Sequence, residues 1–518
     1  MLKRAFIILL ITLFTEGEFS NVYAAASSLD QELRVREIEK AVFMASGSQE
    51  RILKIGMVDC LLYSLKNNSE ILVKKIEPQI KEGDVRIARA DFEPTLTGEY
   101  TIEDNTELSG NTLQGATVFN SLDMNFNAGV SGKFVTGTEY NIEFLNERYN
   151  SDSAYQVFRP YYIANPKVTI TQPLFRDFGI LVNQADIIIA QNNRKQSEKS
   201  FKNTAITEIS RAKTAYYNYF FSLQKYAIDK LALGRTLSLL EINKERYGKG
   251  LISSVDLLET EAAAASREKA VVASEAAIKK AEDALKIVTN LVDDPEVWNA
   301  KIELLDKPEF KQEKIELLQC LKSAFDFRPD YQSAKIDLKS KDIKIKVAKN
   351  ALLPTVDLTG SYGLNGLEKS YDRALQNDNT NYIDWMAGVK VSVPWGGGER
   401  AEYDQRKMEK AQALLSFQRL EQDIILEVRD KVREVYVQER QIAVAKLAKE
   451  KETQNYEAQQ ERYAAGQVST HDILDYQDKL STAELDYAKA IIDYNISLVN
   501  LDKSQGLTLA KNNIKLEE

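Results

Sequence analysis

One stretch of sequence occurs twice in this chain, and this repetition constrains its fold more than any other feature. The first copy, residues 245–259, reads ERYGKGLISSVDLLE, and the second, residues 461–475, reads ERYAAGQVSTHDILD. A period of 216 residues with only two copies is too long for a solenoid of short stacked units. We therefore predict one domain built from two related halves.

The two halves correspond well beyond this stretch. The only cysteines, Cys60 and Cys320, are 260 residues apart, as are two proline-threonine steps that follow them. Pro173 and Pro394 also occupy matching positions, but they are only 221 residues apart. The first half therefore contains 39 additional residues before Pro173. The correspondence predicts a first repeat at residues 25–292 and a second at residues 293–518.

The N-terminus has the form of a secretory signal peptide. A basic start and a short apolar run, MLKRAFIILLITLF, precede small residues at Ala24 and Ala25, so we predict that residues 1–24 direct export. The run is too short to span a membrane, and the later sequence contains no comparable stretch long enough to do so. The net charge of −9 argues against nucleic acid as a partner. In an exported chain the two cysteines could form a disulfide or remain as two buried thiols.

Alternating apolar and polar residues predict β-strands in two regions, at about 94–173 and about 354–395. Such alternation gives a sheet with one apolar and one polar face. Residues 92–178 include 14 aromatic residues among 87, about 16% against 9% in the whole chain. This enrichment favours the aromatic girdles of a membrane barrel. A soluble antiparallel sandwich has the same alternation and is the alternative.

Long proline-free segments predict two helical hairpins, at about 180–292 and about 399–506. Apolar residues recur in them at intervals of three and four, as on one face of a helix. A helix of about 67 residues is roughly 100 Å long, since each residue adds 1.5 Å. Such a hairpin cannot bury its apolar stripe in a compact globule. We therefore predict coiled-coil packing against the other hairpin and against hairpins of other subunits.

The repeated stretch marks the turn between the two helices of each hairpin. Gly250 and Gly466 stand where the first helix must end, a position that favours left-handed backbone. Ser253 and Ser469 are suited to cap the second helix, because each is followed three residues later by an aspartate that can complete a capping box.

Acidic residues around the second turn predict an additional role. Capping is the simplest function for Asp256 and Asp472, but Asp475 lies one turn beyond the cap and shares a helix face with Asp472. In a threefold assembly Asp472 and Asp475 would form two stacked rings of carboxylates. The single histidine, His471, rules out multi-histidine metal sites and histidine triads; it could sense pH or be an exposed residue of the turn.

No motif indicates a cofactor, a bound metal or catalysis. The glycine-rich segment Trp395–Gly398 lacks the lysine and the hydroxyl residue of a phosphate-binding loop. We predict that it bends the chain between a strand and a helix. We accordingly predict no cofactor and no enzymatic activity.

Together, these features resemble the TolC-type outer-membrane factors, the exit ducts of Gram-negative efflux pumps and type I secretion systems. The resemblance covers nearly all of the chain after the signal peptide. It rests on the signal peptide, on the tandem repeat, on the two turns, and on four short segments: Arg328–Asp330, Leu353–Thr355, Thr171–Gly179 and Val393–Gly398.

The resemblance implies an α+β membrane protein that forms a homotrimer. Each subunit would contribute strands to one outer-membrane β-barrel, continued by a long periplasmic α-helical barrel whose inner tip consists of the two turns. The implied partners are a periplasmic adaptor (membrane fusion) protein, an inner-membrane pump of RND, ABC or MFS type, and outer-membrane lipid.

The resemblance also implies roles for individual residues at the tip. Asp256 and Tyr463 match positions of the network that keeps the entrance closed, and Asp472 and Asp475 match aspartates that narrow the pore and bind cations. The residues that match the adaptor-contacting turns are Gly248, Gly250, Leu251, Ser253, Gly466, Val468 and Ser469.

Two features depart from the family pattern. Some members have an arginine two residues after the second-turn glycine, where this chain has Val468, so its closed entrance must be held differently or less tightly. Members usually have four strands per subunit, but six alternating segments occur here, with Lys133–Gly137 as a tight turn between two extra ones. The extra hairpin either extends outside the membrane or enlarges the barrel beyond twelve strands. We expect four membrane strands with elaborated surroundings.

The sequence allows three functions to be compared. The first is a trimeric exit duct that conducts substrates passively from the periplasm to the exterior. The second is an exported coiled-coil tether with a soluble β domain, and the third is an enzyme, which only scattered carboxylates support. The alternating strands and their aromatic enrichment favour the duct.

Overall fold

The computed structural model describes residues 52–108, 118–153, 156–291, 300–376 and 382–516. The predicted signal peptide, residues 1–24, lies outside these ranges. The strands are β1 (Ile52–Ile55), β2 (Thr95–Leu108), β3 (Val118–Lys133), β4 (Glu139–Ser151), β5 (Tyr161–Pro173), β6 (Lys301–Leu304), β7 (Thr355–Leu364), β8 (Gly366–Glu368) and β9 (Ile383–Ser392). The helices are α1 (Met57–Asn67), α2 (Ser69–Ala90), α3 (Ile180–Asn183), α4 (Ala185–Gly248), α5 (Ser254–Thr289), α6 (Leu317–Phe327), α7 (Pro329–Asn350), α8 (Tyr371–Leu375), α9 (Gly398–Ala464), α10 (Thr470–Gln505) and α11 (Thr508–Lys511).

The chain forms two compact units, and the first contains the repeated turns. It comprises the described residues up to Leu72 together with Thr204–Ser323 and Glu427–Lys515. Its core is built on Tyr216 and Tyr219 of α4, whose rings are fully buried. The Tyr219 hydroxyl donates a hydrogen bond to the carbonyl of Ile302 in β6 at 2.7 Å. Both rings therefore bury apolar area, while the Tyr219 hydroxyl satisfies a backbone acceptor of β6.

A small parallel sheet belongs to the same unit. Strand β1 pairs with β6 in parallel, with Ile52 opposite Lys301 and Ile55 opposite Leu304. Both β1 and β6 contribute apolar residues to the core around Tyr216. The segment before the first repeat helix and the segment between the two halves are thus joined through this sheet.

The second unit comprises the described residues of Val73–Asn203 and Ala324–Leu426 together with Leu516. Its sheet is antiparallel, with the strand order β2-β3-β4-β5-β7-β9 and the short β8 paired with β5. The six long strands correspond to the six alternating segments of the sequence, and the hairpin β3–β4 pairs within the same sheet as the others. Each strand therefore lies beside a neighbour that runs in the opposite direction. The expectation of four membrane strands stays a prediction.

The turn between β3 and β4 is as tight as predicted for Lys133–Gly137. The Phe134 amide donates to the Thr138 carbonyl at 2.8 Å, and Gly137 has φ 95°. A Cβ atom on Gly137 would lie 2.4 Å from the Asp177 carbonyl oxygen, so glycine is required for both conformation and space. The expectation of a tight turn is confirmed.

The register of the sheet separates its residues into an apolar and a polar face. One row of directly paired residues crosses all six long strands and contains Leu96, Val130, Ile142, Val168, Tyr362 and Trp385. The adjacent row contains Thr95, Ser131, Asn141, Thr169, Ser361 and Met386. Consecutive residues of a strand point to opposite faces, so the first row is one apolar face that continues through β3 and β4. Trp385 is 72% exposed and Ile142 is 48% exposed on this face.

Two further observations bear on the sequence expectations. Cys60 and Cys320 are both free and buried, so the structure has two buried thiols rather than a disulfide. Within the described ranges, no helix combines the length and apolarity needed to cross a bilayer.

Candidate functional site

The two repeated turns end their first helices in the same way. In the first turn the Gly250 amide donates to the Tyr247 carbonyl at 2.9 Å and the Leu251 amide donates to the Arg246 carbonyl at 2.9 Å. This pair of bonds is a Schellman motif, which requires left-handed backbone at the residue after the helix. Gly250 has φ 72° and Gly466 has φ 74°. The predicted helix-ending glycines are therefore confirmed.

The second helix of each hairpin begins with a capping box, as predicted. Ser253 Oγ accepts a hydrogen bond from the Asp256 amide at 3.1 Å, and the Asp256 carboxylate accepts one from the Ser253 amide at 3.1 Å. Ser469 and Asp472 form the same pair of bonds at the start of α10. These hydrogen bonds lower the pKa values of the Asp256 and Asp472 carboxyl groups below their ordinary range, so both are anionic at neutral pH.

The two glycines of the first turn provide a matched test of this geometry. A Cβ atom at Gly250 or Gly248 would meet no neighbouring atom, so only backbone conformation distinguishes the two positions. Gly250→Ala places a side chain in left-handed backbone, which costs about 1–2 kcal/mol. We expect the Leu251 amide to exchange about 5–30-fold faster in Gly250→Ala by hydrogen exchange. Gly248→Ala, at a helical position, should not accelerate exchange; equal effects of the two variants would contradict the assigned turn.

Tyr463 lies at the centre of a buried polar network between the two hairpins. Its hydroxyl donates to Asn243 Oδ1 in α4 and lies 3.1 Å from Thr470 Oγ1. Asn243 Nδ2 donates to Thr260 Oγ1 in α5 at 2.8 Å, and Thr260 Oγ1 donates to the Asp256 carbonyl at 2.9 Å. Asn243 and Thr260 are completely buried. The network therefore joins residues of α4, α5, α9 and α10 through hydrogen bonds that are buried from solvent.

Arg246 makes a second connection between the hairpins. Its Nη2 atom donates to the carbonyls of Tyr463 at 3.1 Å and Ala464 at 3.2 Å, the last residues of α9. Its guanidinium carbon also lies 4.7 Å from the centroid of the Tyr463 ring. The cation thus satisfies free carbonyls at a helix C-terminus, where positive charge is favourable, and packs on an aromatic face.

The acidic residues of the second turn are exposed and individually paired. Asp475 forms an ion pair with Lys479 at 2.7 Å on the same helix, and the Asp472 carboxylate is held by Ser469. His471 Nδ1 lies 2.6 Å from Glu259 Oε1 of α5. Glu259, with smaller contributions from Asp472 and Asp475, raises the pKa of His471 above its ordinary value of 6.5.

The single histidine makes this contact measurable. Because its pKa is raised on folding, the His471–Glu259 contact is strongest below pH 6.5 and weakens as the pH rises through the folded-state pKa. We expect the one histidine signal in an NMR titration of the labelled protein to give a pKa above 6.5. In Glu259→Gln the value should move back toward 6.5. An identical titration in both proteins would show that Glu259 does not contact the ring.

The structure connects some predicted site residues and leaves others apart. Tyr463 contacts the network that ends at the Asp256 carbonyl, whereas the Asp256 carboxylate is occupied by its own cap. Val468 occupies the position at which some similar proteins have an arginine. In this chain Arg246, at the end of α4, connects the first hairpin to the second. The sequence reasoning missed Arg246, Asn243 and Thr260, although the repeated Glu-Arg-Tyr triplet was a signal for the arginine.

Comparisons with known proteins identify relatives along most of the chain. Residues 63–290 and 320–507 match the profile of the outer membrane efflux proteins. The outer membrane efflux protein BepC of Brucella suis biovar 1 (strain 1330) is 22% identical over 483 residues, covering 91% of this chain and 90% of BepC. Nodulation protein T of Rhizobium leguminosarum bv. trifolii is 26% identical over 169 residues. That match covers 32% of this chain and only 35% of the length of nodulation protein T.

Solved structures share the fold at lower identity. The Campylobacter jejuni CmeC outer membrane channel is similar with a TM-score of 0.64 and 18% identity, covering 87% of this chain and 86% of the CmeC chain. The long hairpins and the two-faced sheet are thus elements of an outer-membrane channel fold.

Proposed function

Because the chain belongs to the outer membrane efflux protein family, we propose that it is the trimeric exit duct of a tripartite efflux pump or of a type I secretion system. In this function the protein conducts substrates passively from the periplasm to the exterior, and the energy comes from its partners. The sheet of each subunit contributes to one barrel in the outer membrane. The helical hairpins form the periplasmic part of the duct, and the two turns form its entrance.

The observation that carries this proposal is the continuous apolar face of the sheet. An exposed apolar row that crosses every long strand is unfavourable in water but favourable against lipid, whereas the polar row of the opposite face suits a water-filled lumen. Strands β2 and β9 are the two edges of the sheet, and they run in opposite directions. Each can therefore pair with the other edge of a neighbouring subunit, which removes the free edges. Three subunits with six long strands each give a barrel of eighteen strands.

The polar cluster at the turns supports a closed entrance. Contacts among Tyr463, Arg246 and Asn243 hold the two hairpins together. Opening of the entrance then requires these contacts to separate. Asp472 and Asp475 lie exposed at the start of α10, and three copies of each would form the acidic rings predicted from the sequence. The capping role of Asp256 and Asp472 keeps the turn rigid while their charges remain available to cations.

Exposed residues of the turns are the proposed contact with a periplasmic adaptor protein. Leu251 is 69% exposed although it is apolar, and Val468 is partly exposed at the equivalent end of the second turn. The adaptor surface would also include the remaining residues predicted for it: Gly248, Gly250, Ser253, Gly466 and Ser469. The adaptor in turn connects the duct to an inner-membrane pump of RND, ABC or MFS type.

The decisive test is the single-channel conductance of the purified protein in a planar lipid bilayer, with divalent cations added from each side in turn. We expect discrete conductance steps and block that is stronger from the side of the acidic turns. Asp472→Asn combined with Asp475→Asn should weaken this block several-fold and increase conductance, while asparagine at position 472 still offers a side-chain oxygen to the Ser469 amide.

Asp486→Asn is the matched control, because Asp486 is an exposed acid further along the same helix. Block that is unchanged in the double variant would show that Asp472 and Asp475 are local helix residues. Silence of the purified trimer, and also of variants with a loosened turn network, would favour the structural tether.

A further inference from the structure

The same position of the repeat has two different environments in one chain. Tyr463 is 5% exposed and is covered by α4 through Arg246 and Asn243. Tyr247, its equivalent in the first copy, is 47% exposed. Within the described part of the chain, its ring has no aromatic or cationic partner. The first hairpin therefore presents the tyrosine of this contact without the arginine that would cover it.

The second hairpin presents the arginine without its tyrosine. Arg462 is the equivalent of Arg246 and is exposed at the end of α9. Its Nη1 atom donates to Gln459 Oε1 on its own helix at 3.3 Å, its one polar side-chain contact among the described residues. Gln459 in turn stands at the repeat position of Asn243, so the amide that would meet the tyrosine hydroxyl is also present.

We propose that Arg462 and Gln459 of one subunit bind Tyr247 of the next subunit, repeating between chains the contact that Arg246 and Asn243 make with Tyr463 within a chain. This inference rests on the proposed trimeric duct, in which hairpins from three chains alternate around one ring. Each first hairpin then has a second hairpin on either side, one from its own chain and one from a neighbour. The partner surface is thus a second copy of this chain, joined head to tail in a closed ring.

A second pair of residues follows the same rule. Within the chain, Arg235 of α4 forms a bidentate contact with Glu484 of α10 at 2.9 and 3.2 Å. The equivalent positions hold Lys451 in the second hairpin and Glu268 in the first. Both are exposed, and the described residues contain no ion pair for either one. The second repeat thus has a basic residue at the position of Arg235, and the first has an acidic residue at the position of Glu484. Lys451 and Glu268 can therefore form an ion pair between neighbouring subunits.

Other contacts within the chain have no counterpart between chains. His471 meets Glu259 within the chain, but the equivalent positions hold Val255 and Asp475, which do not attract each other. The buried Thr260 of the internal network is replaced by Tyr476. The contact between subunits is therefore weaker than the equivalent contact within a chain. We expect it to separate first when the entrance opens.

The experiment is chemical crosslinking of the full-length, detergent-solubilised protein with a short bis-maleimide reagent. Arg462→Cys combined with Tyr247→Cys should give covalent dimers and trimers on a denaturing gel. The matched control is Arg246→Cys combined with Tyr463→Cys, which should give an internal crosslink and only monomers. The unmodified chain measures background from its two buried native cysteines.

A second pair and an independent mass measurement make each outcome decisive. Lys451→Cys with Glu268→Cys should also give covalent trimers, and light scattering reports the assembly before crosslinking. Trimers by scattering with only monomers from both pairs, while the internal control reacts, would overturn the contact and leave the duct intact. An unmodified protein that is not trimeric would overturn both the duct assembly and the contact.

Discussion

Tyr463→Phe is expected to shift the entrance toward its open state by about 5–150-fold, the largest effect that we predict for a single turn residue. The substitution removes the hydroxyl that donates to Asn243 Oδ1 and leaves this fully buried oxygen without its partner. An unsatisfied buried acceptor costs about 1–3 kcal/mol. The substitution destabilises only the closed state, in which the hairpins are joined, because water can bond to Asn243 once the hairpins separate. The measurement is the open probability of single channels at fixed voltage and salt.

Two further variants determine whether the network causes this effect. Tyr487→Phe removes a hydroxyl from the same helix as Thr470, but Tyr487 makes its described contact through its ring, with Lys449. This control should leave the open probability unchanged. Asn243→Leu with Tyr463→Phe removes both partners, which is close to neutral when shape is kept, so the double variant should lie nearer to the unmodified protein than Tyr463→Phe does. Additive effects of the two substitutions would contradict a direct bond between the residues.

The parts of this site that the sequence predicted are those determined by short-range geometry. Glycine in left-handed backbone and a serine with an aspartate three residues later are local signals, and Gly250, Gly466, Ser253 and Ser469 have the predicted conformations. The ion pair between Asp475 and Lys479 spans four residues of one helix and could have been read in the same way.

The parts that the sequence did not predict depend on the register between separate helices. Asn243, Thr260 and Tyr463 belong to three different helices, and no local pattern determines which residues of these helices face one another. Strands β1 and β6 are four residues long, too short to show a period, and they pair across more than 240 residues of chain. In the sheet, alternation predicted the strands but could not determine whether hairpin β3–β4 pairs with the other strands. Alternation shows which residues share a face, but it does not show which strands lie side by side.

The position of hairpin β3–β4 leads to a second prediction with a large effect. Ile142→Arg is expected to abolish assembly into the outer membrane, whereas Asn141→Arg on the adjacent residue should be tolerated. Ile142 belongs to the apolar row of the sheet and Asn141 to the polar row. Arginine on a lipid-facing position of a barrel costs up to about 2–4 kcal/mol near the bilayer midplane, and a trimer incurs this cost in each chain. The measurement is the yield of heat-sensitive trimer in outer-membrane fractions.

Val389→Arg in β9 completes the comparison, because Val389 occupies the same apolar face in the second half of the chain. If β3 and β4 are part of the membrane wall, Val389→Arg and Ile142→Arg should fail to assemble alike, which corresponds to eighteen strands in the trimer. If the hairpin stands outside the membrane, Val389→Arg alone should fail, and the barrel should have the twelve strands expected from the family. The first result would also mean a wider lumen than twelve strands enclose, since barrel diameter grows roughly in proportion to strand number. The inserted hairpin would then determine the width of the exit.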